Sequence, residues 1–122
     1  MGTDFADLEA WRLNAQLAVD VLGVARRVRG LGAASVASQM LRAAESIPAN
    51  IAEGYGRGLG PDGARFLRIA RASAVELESH LRVAVRGQRL PEADVAPLID
   101  RTRRVRALVN GLLRFAAQRK GH

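Results

Sequence analysis

Two histidines, no cysteine and twelve acidic residues are the chain's supply of ordinary metal ligands and acid–base groups. Glu76 and His80 stand four residues apart, and His122 is remote from both. A di-iron bundle needs two Glu-x-x-His pairs with further carboxylates. A serine hydrolase needs its serine on a strained turn beside a base. Neither pattern is present, and without cysteine no disulfide, thiolate metal site or thiol nucleophile can form. The run Gly54-Tyr55-Gly56-Arg57-Gly58-Leu59-Gly60 lacks the preceding strand and the Lys-Ser/Thr pair of a phosphate-binding loop. It reads as a flexible connection between helices, in which Arg57 and Tyr55 could touch a phosphate and a base. No catalytic, cofactor-binding or metal-ligating set emerges, and an enzyme is not expected.

The remaining chemistry is cationic. Net charge is +7 with a pI near 11.5, and Lys120 is the only lysine. A GC-rich genome alone would favour Arg over Lys, but it does not explain the net excess, which points to polyanions. Arginine suits bidentate contact with phosphate. At 100° per residue, Arg68, Arg71, Arg82 and Arg86 fall within a wedge of about 60° on one helix, relieved by Glu78. Arg103, Arg106 and Arg114 line an outer face of another, with Asn110 among them. With Arg57, these are the candidate nucleic-acid contacts, although a merely solvated face would look much the same.

Four elements must carry these groups. The 122 residues suffice for one domain, burying roughly two thirds of the unfolded surface. With 48% hydrophobic residues and only 4% aromatics, the core is built from Leu, Val, Ile and Ala, which favours closely packed helices. The periodicity predicts helices over about 5–29, 35–54, 61–87 and 91–119: an all-α, antiparallel up-down four-helix bundle spanning 1–122. Thr3 or Asp4 can cap the first helix, and residues 118–122 are expected to fray. Asp4, Asp7, Glu9 and Asp20 are the wrong chemistry for a secretory signal, and no apolar run is long enough to span a bilayer. The expectation is a cytoplasmic protein with no membrane partner.

The first helix carries two apolar stripes about 130° apart: Leu8, Trp11, Ala15, Ala18, Leu22 and Ala25, then Leu13, Leu17, Val21, Val24 and Val28. The second stripe fits either one wide core-facing helix or a subunit interface, and the interface is the preferred reading. In the second helix, Val36, Met40, Ala43, Ile47, Ile51 and Gly54 form the seam, and Gln39, Arg42, Ser46, Asn50 and Glu53 run beside it. Pro48 removes a backbone donor, so the helix either kinks there or restarts with Ser46 as cap; the unbroken apolar phase favours a kink. The third helix has the seam Leu67, Ala70, Ala74, Leu77, Leu81 and Ala84, with Glu76 on an apolar flank that demands a partner. Arg42 is the first candidate and Asn50 the second, which makes Gln39, Arg42, Ser46, Asn50, Glu53 and Glu76 a structural polar cluster. The fourth helix has the seam Val95, Leu98, Thr102, Val105, Val109, Leu112 and Ala116.

The stretch Gln39-Met40-Leu41-Arg42-Ala43-Ala44-Glu45-Ser46-Ile47-Pro48-Ala49-Asn50-Ile51-Ala52-Glu53-Gly54, followed by Arg57, resembles the signature of the 23S rRNA-intervening-sequence proteins, also called the four helix bundle protein family. Arg65 to Ser73 and Glu76 to Leu81 resemble a second block, with Ala72 where a glycine is usual before the serine. The resemblance covers Phe5 to about Leu113. It implies a four-helix bundle assembling into a ring-like homopentamer. The family is related to the accessory variability determinant of diversity-generating retroelements, which is implicated in binding a reverse transcriptase and nucleic acid. The expected function is therefore a non-enzymatic homo-oligomeric module binding RNA or another nucleic acid. A protein-interaction scaffold for a partner such as a reverse transcriptase is the alternative.

Overall fold

A computed structural model describes Asp4, Phe5 and residues 8–118, so the expectations for Thr3, for Asp7 and for the end of the chain from residue 119 onward lie outside the described residues. Among the described residues four α-helices follow one another: α1 (Glu9–Ala25), α2 (Ala33–Gly56), α3 (Pro61–Arg86) and α4 (Glu92–Gln118). Each packs on its neighbours in a cycle, α1 on α2, α2 on α3, α3 on α4 and α4 back on α1. Short connections force adjacent helices to run antiparallel. The sequence expectation of an all-α up-down bundle holds.

The seams of α3 and α4 are buried as their spacing requires, apart from the half-buried Leu112. In α2, Met40, Ala43, Ile47, Ile51 and Gly54 are buried, and the helix continues through Pro48 rather than restarting at Ser46. Pro48 is itself buried there. Apolar burial on both sides of Pro48 offsets the single lost backbone bond.

The first helix departs from expectation at both ends. It begins at Glu9 with Leu8, not Asp4, as the N-cap residue. It ends at Ala25 because the following residues are drawn toward the α3–α4 turn. There the Arg29 N–H donates to the Arg89 carbonyl, Arg29 Nε to the Gln88 carbonyl, and Arg89 Nη1 to the Arg29 carbonyl, each at 3.2 Å.

The core side of α1 also needs correcting. It comprises Ala10, Asn14, Leu17, Ala18, Val21, Val24 and Ala25, an edge lying between the two stripes read from sequence. Leu17 and Val21 are fully buried and Val24 nearly so within the chain's own core. They cannot form an oligomer interface in this fold. Of that stripe only Leu13 is exposed, and Val28 is half-buried. The wide core-facing reading wins because α1 contacts both α2 and α4, and two neighbours require a broad apolar face.

The glycine run between α2 and α3 is anchored. Leu59 is buried despite a left-handed φ of 52°, and its N–H bonds the Gly54 carbonyl at 3.2 Å. Gly54 and Gly63 are both buried, and a Cβ on either would collide with the carbonyl of the other. The two helices therefore meet backbone to backbone where the chain reverses.

Candidate nucleic-acid interface

The α3–α4 seam gathers most of the arginines singled out from sequence, and Glu78 is its hub. The Glu78 carboxylate accepts Arg82 Nε at 2.8 Å, Arg103 Nη2 at 2.9 Å and Arg103 Nε at 3.1 Å, all on Oε2. Arg106 Nη1 lies 3.9 Å from the other oxygen. The Glu78 side chain is 13% exposed, against 52% for Arg103, so the anion sits beneath its cations. Donation from Arg103, then from Arg82, holds the Glu78 carboxyl below the ordinary carboxylate range against the opposing effect of burial. Glu78 in turn raises Arg103. Three cations surround this one carboxylate, with Asp100 also acting on Arg103 and Glu92 on the adjoining groove.

The Glu78–Arg82 pair, four residues apart on α3, was legible in the sequence. That Arg103 and Arg106 close on the same carboxylate depends on how α4 is rotated against α3. Beside the hub a groove of about 600 Å³ runs between the helices, lined by Val75, Val83 and Ile99 among others, with Arg86 and Glu92 also on it. Further along, Arg71 Nη1 reaches Asn110 Oδ1 at 3.4 Å, joining the same two helices, and Arg114 is exposed one turn beyond on α4. Arg68 is exposed and lines a shallower hollow with Arg65, Ile69 and Glu76.

Arg57 stands apart from this seam. It is bound to Asp62 at 2.8 Å and to Glu53 at 3.0 Å, which raise its pKa in that order, and its guanidinium lies 4.5 Å from the Phe66 ring centroid. Two carboxylates and a ring thus occupy the cation that the sequence reading assigned to a mobile loop. Its role in the described structure is to close the α2–α3 turn.

The polar cluster also differs from expectation. Arg42 is exposed and donates to Ser38 Oγ at 3.3 Å, while Glu76 is 62% exposed and its carboxylate is 3.8 Å from His80 Nε2. No Arg42–Glu76 clasp exists, because Glu76 points to solvent and needs no buried partner. Gln39 donates to Ser35 Oγ at 3.5 Å, and Glu53 serves Arg57. The tie between α2 and α3 is smaller: Ser73 Oγ donates to Ser46 Oγ at 2.8 Å, and Asn50 Nδ2 donates to the Ser46 carbonyl at 2.8 Å and to Ser46 Oγ at 3.0 Å. Sequence reasoning placed Ser46 and Asn50 in this line but missed Ser73 as the partner.

It also missed Asn14, fully buried in α1, whose Nδ2 donates to the Ala10 carbonyl at 2.8 Å while Oδ1 has no partner. A polar residue inside an apolar phase was the available signal. Asp20 of α1 accepts Arg101 across the α1–α4 interface, and that hydrogen bond is the chief cause of its lowered pKa.

Among the described residues, no group of three or more His, Cys, Asp or Glu is placed to hold a metal ion, and no helix is long and apolar enough to cross a membrane. No curated protein matches the chain. Residues 6–111, which include the Glu78 hub, match the family model of the 23S rRNA-intervening sequence protein, and the chain belongs to that family.

Proposed function

We propose that the protein is a non-enzymatic cytoplasmic helical module that binds RNA along the arginine-lined seam of α3 and α4. The observation that carries this reading is the convergence of Arg82, Arg103 and Arg106 over the largely buried Glu78, with positive charge turned outward. Arg71, Arg86 and Arg114 extend that charge along the same seam. From Arg71 to Arg86 the helix rises about 22 Å, so the seam offers a track rather than a point. Family membership is compatible with an RNA-related role. Contacts of this kind give affinity with little sequence preference. Binding should fall steeply between roughly 50 and 200 mM salt; equal binding at both, or none at either, removes the proposal.

A second reading, a scaffold for a protein such as a reverse transcriptase, draws on the exposed Val75 and Val83 in the groove. It requires a salt-tolerant complex that survives conversion of Arg103, Arg106 and Arg114 to glutamate. The homopentamer implied by the family resemblance is proposed to assemble through surfaces other than the Leu17–Val21–Val24 edge, which the core consumes.

A further inference from the structure

We infer that the α3–α4 groove seats a short segment of a single-stranded polynucleotide, a phosphate on Arg82 and Arg106 at its edge and on Arg103 beside it, and successive bases along Val75, Val83 and Ile99. The inference rests on the RNA-binding reading above and narrows it to one kind of strand.

The phosphate half follows from donor arithmetic. Each guanidinium carries five N–H donors in a planar fork. Glu78 takes one from Arg82 and two from Arg103, while Arg106 stands 3.9 Å off. The three cations are one-third to one-half exposed, so donors remain on the solvent side. Glu78 holds three like charges together beneath that surface. A phosphodiester above them would meet a ready fork instead of organising three flexible side chains, which lowers the cost of binding.

The base half follows from the groove floor. Val75 and Val83 are 50% and 62% exposed, about 12 Å apart along α3, and Ile99 of α4 lines the same groove. The groove's volume of about 600 Å³ falls in the usual range for small-molecule and cofactor sites. A flat base has an apolar face that such a floor can cover, whatever its identity. In a duplex those faces are stacked away and only phosphates, sugars and groove edges are presented. The apolar floor therefore contributes to a single strand and not to a duplex.

The test uses the full chain and fluorescence anisotropy. The probes are a labelled oligouridylate of about 16 nucleotides and a blunt RNA duplex of equal length. The single strand is expected to bind about tenfold tighter, the worth of roughly 60 Å² of apolar surface buried on the valines at about 25 cal/mol per Å². The double variant Val75→Ser/Val83→Ser, at two exposed positions, should keep its melting temperature and duplex affinity and lose the single-strand preference. The double variant Arg103→Gln/Arg106→Gln should weaken both probes and lower the slope of log affinity on log salt by about 1. Equal binding of strand and duplex, or no effect of the valine changes, overturns the seat and leaves the RNA reading standing. A protein complex lost with the valine changes while RNA affinity holds also overturns it. Absence of salt-dependent binding to either probe takes down the RNA reading, and the seat with it.

Discussion

Gly54 and Gly63 approach so closely that a Cβ on Gly63 would lie 2.5 Å from the Gly54 carbonyl oxygen. A Cβ on Gly54 would meet the Gly63 oxygen at 2.9 Å and Leu67 at 3.2 Å. Backbone cannot yield as a flexible side chain does, so Gly63→Ala is expected to cost roughly 1–3 kcal/mol, with Gly54→Ala slightly milder. Gly56→Ala, with open space around it, is the control and should be neutral or stabilising. Urea unfolding midpoints of the three variants check the order.

The tie between α2 and α3 is a hydroxyl pair rather than a charge pair. Ser73→Ala should cost about 1 kcal/mol. Ser46→Ala should cost somewhat more, because Ser46 Oγ also accepts from Asn50. Arg42→Ala, at an exposed side chain bonded only to Ser38 among the described contacts, should stay within about 0.5 kcal/mol. Thermal melts showing a large loss for Arg42→Ala would restore the clasp expected from sequence.

Glu78 makes stability depend on acid. Its folded pKa lies below the ordinary value, so its contribution is complete above about pH 4.3 and is lost as pH falls through the lowered folded value. Glu78→Gln should therefore be less stable than the parent near neutral pH, with the gap closing in acid. Asp20, lowered chiefly by Arg101, adds to the parent's acid sensitivity with the same sign. Unfolding midpoints against pH for the parent and Glu78→Gln measure this; a gap that widens in acid contradicts it.

Asn14 buries an acceptor with nothing to accept. Asn14→Leu removes that unsatisfied atom and keeps the branched shape with the same number of side-chain heavy atoms; with the core yielding to the bulkier methyls, it should stabilise by about 1 kcal/mol. Loss of its bond to the Ala10 carbonyl costs little, since that carbonyl lies within the helical ladder. The measurement is the melting temperature, and a fall would assign the amide a role that the apolar replacement cannot fill.

What the sequence determined by itself is everything that repeats along a single helix. The seams Leu67–Ala70–Ala74–Leu77–Leu81–Ala84 and Val95–Leu98–Thr102–Val105–Val109 are buried as their three-four spacing demands, because 3.6 residues per turn is a property of the backbone and not of the neighbours. The Glu78–Arg82 pair was readable for the same reason. Tertiary structure alone decided which edge of α1 meets its neighbours, and so turned Leu17, Val21 and Val24 from a surface into core. It also decided that Arg103 reaches Glu78 across 25 residues of chain, that Arg101 reaches Asp20 across 81, and that Glu76 faces water. Such meetings depend on the rotation and axial register of one helix against another. Those are set by the fit of two surfaces at once, and neither surface is written in the periodicity of the other.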